Sequence, residues 1–246
     1  MPDAERRASD DLERAIAPLE RSNDPSVGAG RDFYPDSTTL LLMCAGMAPW
    51  PAIPRWVLYG DTIDLPVKRL FIRDVHSVWY QHGVPGFGDR IDQVAATIRA
   101  LIEPEGIERL VVAGPSAGGY AALLFGTLLE ADVVLSFSPQ AFVERSKLHA
   151  IGDHRGDQAL ERLDPLGGPD ERFSDLRVAL PRERRAETRY EIHYGSADAL
   201  DREHAHLLDA LPGVELRPHD HDEHLLMRAL RNSGELARLL REALEI

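Results

Sequence analysis

The chain has 246 residues, and 41 acidic against 28 basic side chains leave a formal charge of −13. That excess repels polyanions, so no nucleic-acid partner is expected, and apolar residues at 43%, spread through the chain, argue against disorder and against a membrane span. The single cysteine, Cys44, excludes an internal disulfide and any multi-cysteine zinc or iron–sulfur cage. The length suits one large α/β domain with a sizeable core. The opening MPDAERRASDDLERA is charged throughout and lacks the apolar core of a signal peptide, which makes the cytoplasm the expected compartment.

Residues 8–20 (ASDDLERAIAPLE) carry Leu12, Ile16 and Leu19 at helical spacing before SNDPSVGAG breaks the pattern, so residues 1–36 read as an N-terminal packing arm. From Thr38 onward, TTLLLMCAG, VKRLFIRD, IERLVVAG, ADVVLSFS, RYEIHYG and VELRPH are short apolar, branched or aromatic runs that read as strands. Helical stretches alternate with them. Ile91, Val94, Ala95, Ile98 and Leu101 form one apolar face that stops at Pro104, and further helices are expected over 118–130, 202–211 and 225–240. This alternation predicts a mostly parallel sheet covered on both faces. Residues 139–188, with GDHRGDQ, DPLGGPDERF and PRERRAE, are an excursion between two strands, suited to covering a binding cleft.

IERLVVAGPSAGGYAALLFG reads as strand, tight turn and helix, with Ser116 in G-x-S-x-G context. Such a turn pushes the serine out of the sheet, and Gly114 and Gly118 stand where a Cβ would collide with the neighbouring chain. The free N–H groups of the helix start make Ala117 a candidate oxyanion donor, and Gly46 or Met47, after the strand ending CAG, a second. Cys44 has no activating base in its neighbourhood and reads as a small buried side chain.

In a serine, acid, histidine chain order, the acid follows RYEIHYG and the base follows VELRPH. Asp198, at the strand tip, is the preferred acid; Asp201, a little later, reads better as the N-cap of REHAHLLDAL but remains an alternative. The run HDHDEH offers His219, His221 and His224. It resembles the metallo-β-lactamase pattern H-x-H-x-D-H with Glu223 in place of the aspartate, but that family needs further ligands downstream, where only one helix remains, so no metal is expected. His224, held by Leu225, Leu226 and Leu230, is the candidate base. His219 and His221 fall in a solvated acidic loop, whose Asp220, Asp222 and Glu223 are expected to raise nearby imidazole pKa values.

FIRDVHSVWYQHG (71–83), PSAGGYAALLFG (115–126), LSFSPQ (135–140) and HLLMRALRNSGEL (224–236), together with this chain order, give a sequence that resembles the α/β-hydrolase superfamily over residues 38–246. More narrowly it resembles a bacterial group of largely uncharacterised serine hydrolases with a GxSxGGY turn, some encoded with cell-surface polysaccharide functions. The resemblance implies a three-layer α/β-hydrolase fold in a single domain, with Ser116 and His224 in a triad. The short stretch before Thr38 leads us to expect a reduced sheet of about six strands. Trp79, Tyr80 and Gln140 fall on loops at strand C-termini, where ligands collect in open α/β sheets, and are candidate substrate contacts. The expected activity is hydrolysis of a small-molecule or glycan-linked carboxylic ester or thioester through an acyl-enzyme, without a cofactor. The same residues would serve an acyltransferase, and the rival readings are a catalytically inactive binding protein of this fold and a metal-dependent hydrolase. The sequence specifies no oligomeric state.

Overall fold

A computed structural model describes residues 16–18, 27–47 and 60–246, with only the backbone described for 16–18. Eight strands form one sheet: β1 (Ile16–Pro18), β2 (Ala29–Asp32), β3 (Thr39–Cys44), β4 (Lys68–Ile72), β5 (Arg109–Pro115), β6 (Val133–Phe137), β7 (Arg189–Gly195) and β8 (Val214–His219), in the order β1-β2-β4-β3-β5-β6-β7-β8. From β4 to β8 every neighbouring pair is parallel, β1 is parallel to β2, and β2 runs antiparallel to β4. The α-helices that lie wholly among the described residues are α1 (Ile91–Ile102), α2 (Ala117–Leu128), α3 (Arg145–Ala150), α4 (Asp157–Leu163), α5 (Leu176–Glu183), α6 (Ala199–Leu208), α7 (Leu226–Ser233) and α8 (Glu235–Leu244).

A parallel sheet needs both faces covered, and strand side chains alternate between them. Leu40 and Leu42 of β3, Val112 of β5, Val134 of β6 and Ile192 of β7 join one buried cluster with α1, α2 and α6. The residues between them, Leu41, Met43, Val111, Val133 and Leu135, join a second cluster with Leu226, Leu230, Leu236 and Leu240 of α7 and α8. The result is a three-layer α/β architecture. The helix α2 is buried on nearly every side, so its run AGGYAALLFG shows no polar face.

Three expectations about the ends of the chain are corrected. The sheet has eight strands rather than about six, because β1 and β2 extend its edge from residues ahead of Thr38. The helical spacing over 8–20 does not hold at Ile16–Pro18, which are extended; Leu12 and Leu19 lie outside the described residues. The stretch 225–240, expected as one helix, is two, since Gly234 takes φ 82° and ends α7 with a left-handed turn.

The turn from β5 into α2 crosses the C-terminal end of β3 at backbone contact distance. A Cβ on Gly114 would stand 2.5 Å from the Cys44 carbonyl oxygen, and one on Gly118 would be 2.7 Å from the Ala45 carbonyl carbon and closer still to Cys44 O. These are rigid backbone atoms, so nothing flexible can give way. Gly118→Ala is therefore expected to cost about 3 kcal/mol or more of unfolding free energy, measured by denaturant titration; a loss under about 0.5 kcal/mol would contradict the close approach.

Candidate active site

Ser116 sits at the apex of that turn with φ 53° and ψ −120°, a region L-residues seldom occupy. The conformation is pinned from both sides: Ser116 N donates to Phe137 O of β6 at 2.7 Å, and Tyr120 N donates to Ser116 O at 2.9 Å. The side chain thereby projects above the strand ends, beside the first turn of α2, whose leading N–H groups have no intrahelical acceptor.

The run HDHDEH is divided by the structure. His219, at the end of β8, turns toward the sheet, with Nε2 3.0 Å from His193 Nδ1 and the two rings stacked at 5.3 Å. Burial and then the neighbouring His193 charge depress its pKa, whereas the nearby acids had been expected to raise it. His221 contributes its backbone, accepting from Ala197 N at 3.1 Å. Only His224 enters the site: Nε2 lies 2.8 Å from Ser116 Oγ and Nδ1 lies 2.7 Å from Asp201 Oδ1.

The carboxylate beside His224 is thus Asp201, and Asp198 is displaced from that role. The helix α6 starts three residues earlier than its sequence suggests, so Asp198 is its N-cap and accepts from Leu200 N at 3.0 Å and Asp201 N at 2.9 Å. Asp201, in the first turn, points into the protein with its side chain fully buried. Burial by itself would raise its pKa, but hydrogen bonds with His224 and Arg155 hold the carboxyl below the usual range, so it is ionised at neutral pH.

Arg155 comes from the excursion, and no motif marked it. Its Nη1 donates to Asp201 Oδ1 at 2.7 Å and lies 2.9 Å from His224 Nδ1, while Nη2 donates to Asp153 Oδ2 at 2.8 Å and Nε to Asp153 Oδ1 at 3.0 Å. Asp153 in turn lies 2.9 Å from Nε2 of His204, one turn beyond Asp201 on α6. The Ala141 N–H donates to His204 Nδ1 at 3.1 Å, which leaves the proton on Nε2 to face Asp153. Helix α6 and the loop 151–156 are therefore joined by a network of charged and neutral hydrogen bonds in which both carboxylates and His204 are buried and Arg155 reaches the surface.

Ser116 and His224 open into a cavity of about 240 Å³, whose lining includes Trp79, Leu148, Leu225 and Met227 together with Gly46 and Met47. Gln140 also lines it and accepts from Trp79 Nε1 at 3.2 Å. Asp74 builds the Trp79 loop by accepting from His76 N (3.0 Å), Val78 N (2.5 Å) and Tyr80 N (2.9 Å). Tyr80, expected in the pocket, is instead fully buried beneath it, with Oη 2.9 Å from Ala45 O and 3.1 Å from Ile72 O. It supports the segment leading to Gly46 and Met47. Cys44 is buried and its thiol pKa is pushed far up by desolvation, which leaves it unreactive. Ala117 is buried directly behind Ser116.

The chain has the α/β-hydrolase fold. Among solved structures it is similar to the capsule O-acetyltransferase of Neisseria meningitidis serogroup A (14% identity, 89% of this chain and 98% of that one, TM-score 0.58), also seen as a mutant in complex with CoA (14%, 84% and 89%, 0.56). It is likewise similar to Est1E from Butyrivibrio proteoclasticus (14%, 89% and 94%, 0.52) and to an α/β hydrolase from the metagenome of Mar Chica lagoon sediments in Morocco (15%, 87% and 92%, 0.52). No family model and no curated protein sequence matches the chain. Among the described residues no helix is long and apolar enough to cross a membrane.

Asp153 and Asp201 both have pKa values lowered in the fold, Asp153 by His204 and Arg155 against the opposing effect of burial. Their stabilisation is therefore complete above the unfolded carboxylate value of about 3.9 and is lost as pH falls through the folded values. Arg155→Ala should cost about 3–5 kcal/mol at neutral pH by stranding buried charge and should make the decline in stability below pH 4 shallower. Denaturant titrations at several pH values check both; an unchanged acid slope would disprove the coupling.

Proposed function

We propose that the protein is a serine-dependent acyl-transfer enzyme, acting as a hydrolase of carboxylic esters or thioesters, with Ser116 as nucleophile, His224 as general base and Asp201 as the orienting acid. The observation that carries this reading is the continuous array from Asp201 through His224 to Ser116, at 2.7 and 2.8 Å, opening into a cavity. A fold retained only for binding would have no need to hold all three groups in reach of one another.

Ser116 Oγ attacks the acyl carbonyl while its proton passes to His224 Nε2, and Asp201 holds Nδ1–H and stabilises the imidazolium. The tetrahedral oxyanion is bound by the Ala117 N–H and by that of Gly46 or Met47. His224 then protonates the departing alcohol or thiol, leaving an acyl-serine. Water, deprotonated by His224, attacks this ester, and the carboxylic acid leaves as Ser116 regains its proton. The apolar walls formed by Trp79, Leu148 and Met227 suit the acyl group, and Gln140, with its amide at the cavity, suits a polar acceptor portion.

A second reading replaces water by a sugar hydroxyl. It is favoured by the similarity to a capsule O-acetyltransferase, itself also seen with CoA, and it fits the motif-level resemblance to hydrolases encoded with surface-polysaccharide functions. Under this reading an acyl thioester is the donor, and the thiol leaves in the first half-reaction.

A small fluorophosphonate should add once to the wild-type protein, read by intact mass, and not to Ser116→Ala. A wild type that takes up no adduct would refute an activated serine. With any ester or thioester that is turned over, Asp201→Asn should lower kcat by about 10⁴-fold, while Asp198→Ala should leave kcat within a few-fold and remove about 1 kcal/mol of stability through the lost cap. The reverse ranking of the two aspartates would overturn the assignment of the acid.

A further inference from the structure

Two imidazoles and one carboxylate converge at the outer side of the loop that carries Arg155. His149 Nε2 is 2.6 Å from Asp157 Oδ1, and His154 Nδ1 is 3.2 Å from Asp157 Oδ2. The two rings approach to 4.4 Å between centroids, and the three ligand atoms all lie within 4.8 Å of one another. Each imidazole turns one ring nitrogen toward a different oxygen of the same carboxylate, so the three side chains converge on one point of the surface. Two ring nitrogens and a carboxylate gathered this closely form a set of ligand atoms that one cation could share.

We propose that His149, His154 and Asp157 form a binding site for a divalent transition metal such as Zn²⁺. Two imidazoles and a carboxylate are the donor set that such ions take, and metal–ligand bonds of about 2.1 Å place neighbouring tetrahedral donors about 3.4 Å apart, within small side-chain movements of the present arrangement. All three side chains are accessible, with 37, 62 and 34% of their surfaces exposed, so an ion has an entry path and room for water at its remaining position. The competing cation is Arg145, whose Nη1 is 3.7 Å from Asp157 Oδ1, but its short contact, 2.8 Å, is with Asp164.

The placement gives the site a consequence. His149 is in the last turn of α3, His154 is in the following loop, and Asp157 opens α4. Asp153 and Arg155, which bind Asp201 and His204, lie between these ligands. A bound ion cross-links the two ends of that loop and fixes the guanidinium beside the proposed acid.

The test is equilibrium dialysis of the full-length protein against Zn²⁺ alone, with metal content measured per chain and the thermal midpoint followed in parallel. About one Zn²⁺ per chain is expected, with a raised midpoint; Mg²⁺ should not compete, because it prefers an all-oxygen set. The double variant His149→Ala/His154→Ala should bind at least tenfold more weakly, while the exposed-histidine control His76→Ala should bind as wild type does. No saturable uptake by wild type, or wild-type uptake by the double variant, would overturn the site. These readouts are independent of catalysis, so they stand whether or not Ser116 proves to be a nucleophile.

Discussion

The site depends on one close approach: the backbone of the β5–α2 turn lying against the carbonyls at the end of β3. Gly114 and Gly118 make it possible, because a Cβ at either position would overlap Cys44 or Ala45 backbone. Two results follow from the same contact. Ser116 is forced to φ 53°, above the sheet, and the segment after β3 is brought beside it, so that Gly46 and Met47 reach the cavity. The strain at Ser116, about 1–3 kcal/mol, is sustained by backbone hydrogen bonds to β6 and α2. Support continues outward: Asp74 shapes the loop that buries Tyr80, and Tyr80 Oη reaches Ala45 O. A residue read as a substrate contact turns out to support the segment that leads to Gly46 and Met47.

The opposite side of the site is organised by the periodicity of α6. Asp198, Asp201 and His204 recur every three residues, so they lie along one stripe of the helix. Asp198 ends the stripe by capping the helix, Asp201 takes His224 and Arg155, and His204 takes Asp153. One helix face thus holds His224 and anchors the excursion at the same time. The excursion is secured elsewhere by backbone bonds, Val143 N to Ser174 O and Leu176 N to Ala141 O, which tie residues 141–143 to 174–176.

What could be read in advance separates along physical lines. Strands β3 to β8 and helices α1 and α2 were legible because each is a local apolar pattern with a turn or breaker at its end, and Ser116 because its turn demands glycine at fixed offsets. His224 followed from chain order. The exchange of roles between Asp198 and Asp201 arose from a helix start misplaced by three residues, and both carry the same side chain, so composition could not separate them. Strands β1 and β2 were missed since IAP and AGRD are too short and mixed to show a period. Arg155 was missed for a different reason: GDHRGDQ looks like a solvated loop, and the partners that give it meaning, Asp201 and His224, are distant in sequence. A hint was there in the pairing of arginine with two flanking aspartates, but no local rule says which of them it serves.

The arrangement around Asp201 resolves a conflict inherent in any buried orienting acid. Exclusion of water strengthens the interaction of a carboxylate with an imidazolium, yet the same desolvation favours the neutral acid, which would lose it. Here the carboxylate is fully enclosed and still ionised, because His224 first, and then Arg155 on the same oxygen, offset the desolvation. Arginine suits this place better than lysine, since its planar fork engages Asp201 and Asp153 together and its charge persists on burial. The cost is that the excursion becomes part of the proposed catalytic array: whatever loosens loop 151–156 weakens one of the two partners that keep Asp201 ionised, and whatever stiffens that loop preserves it.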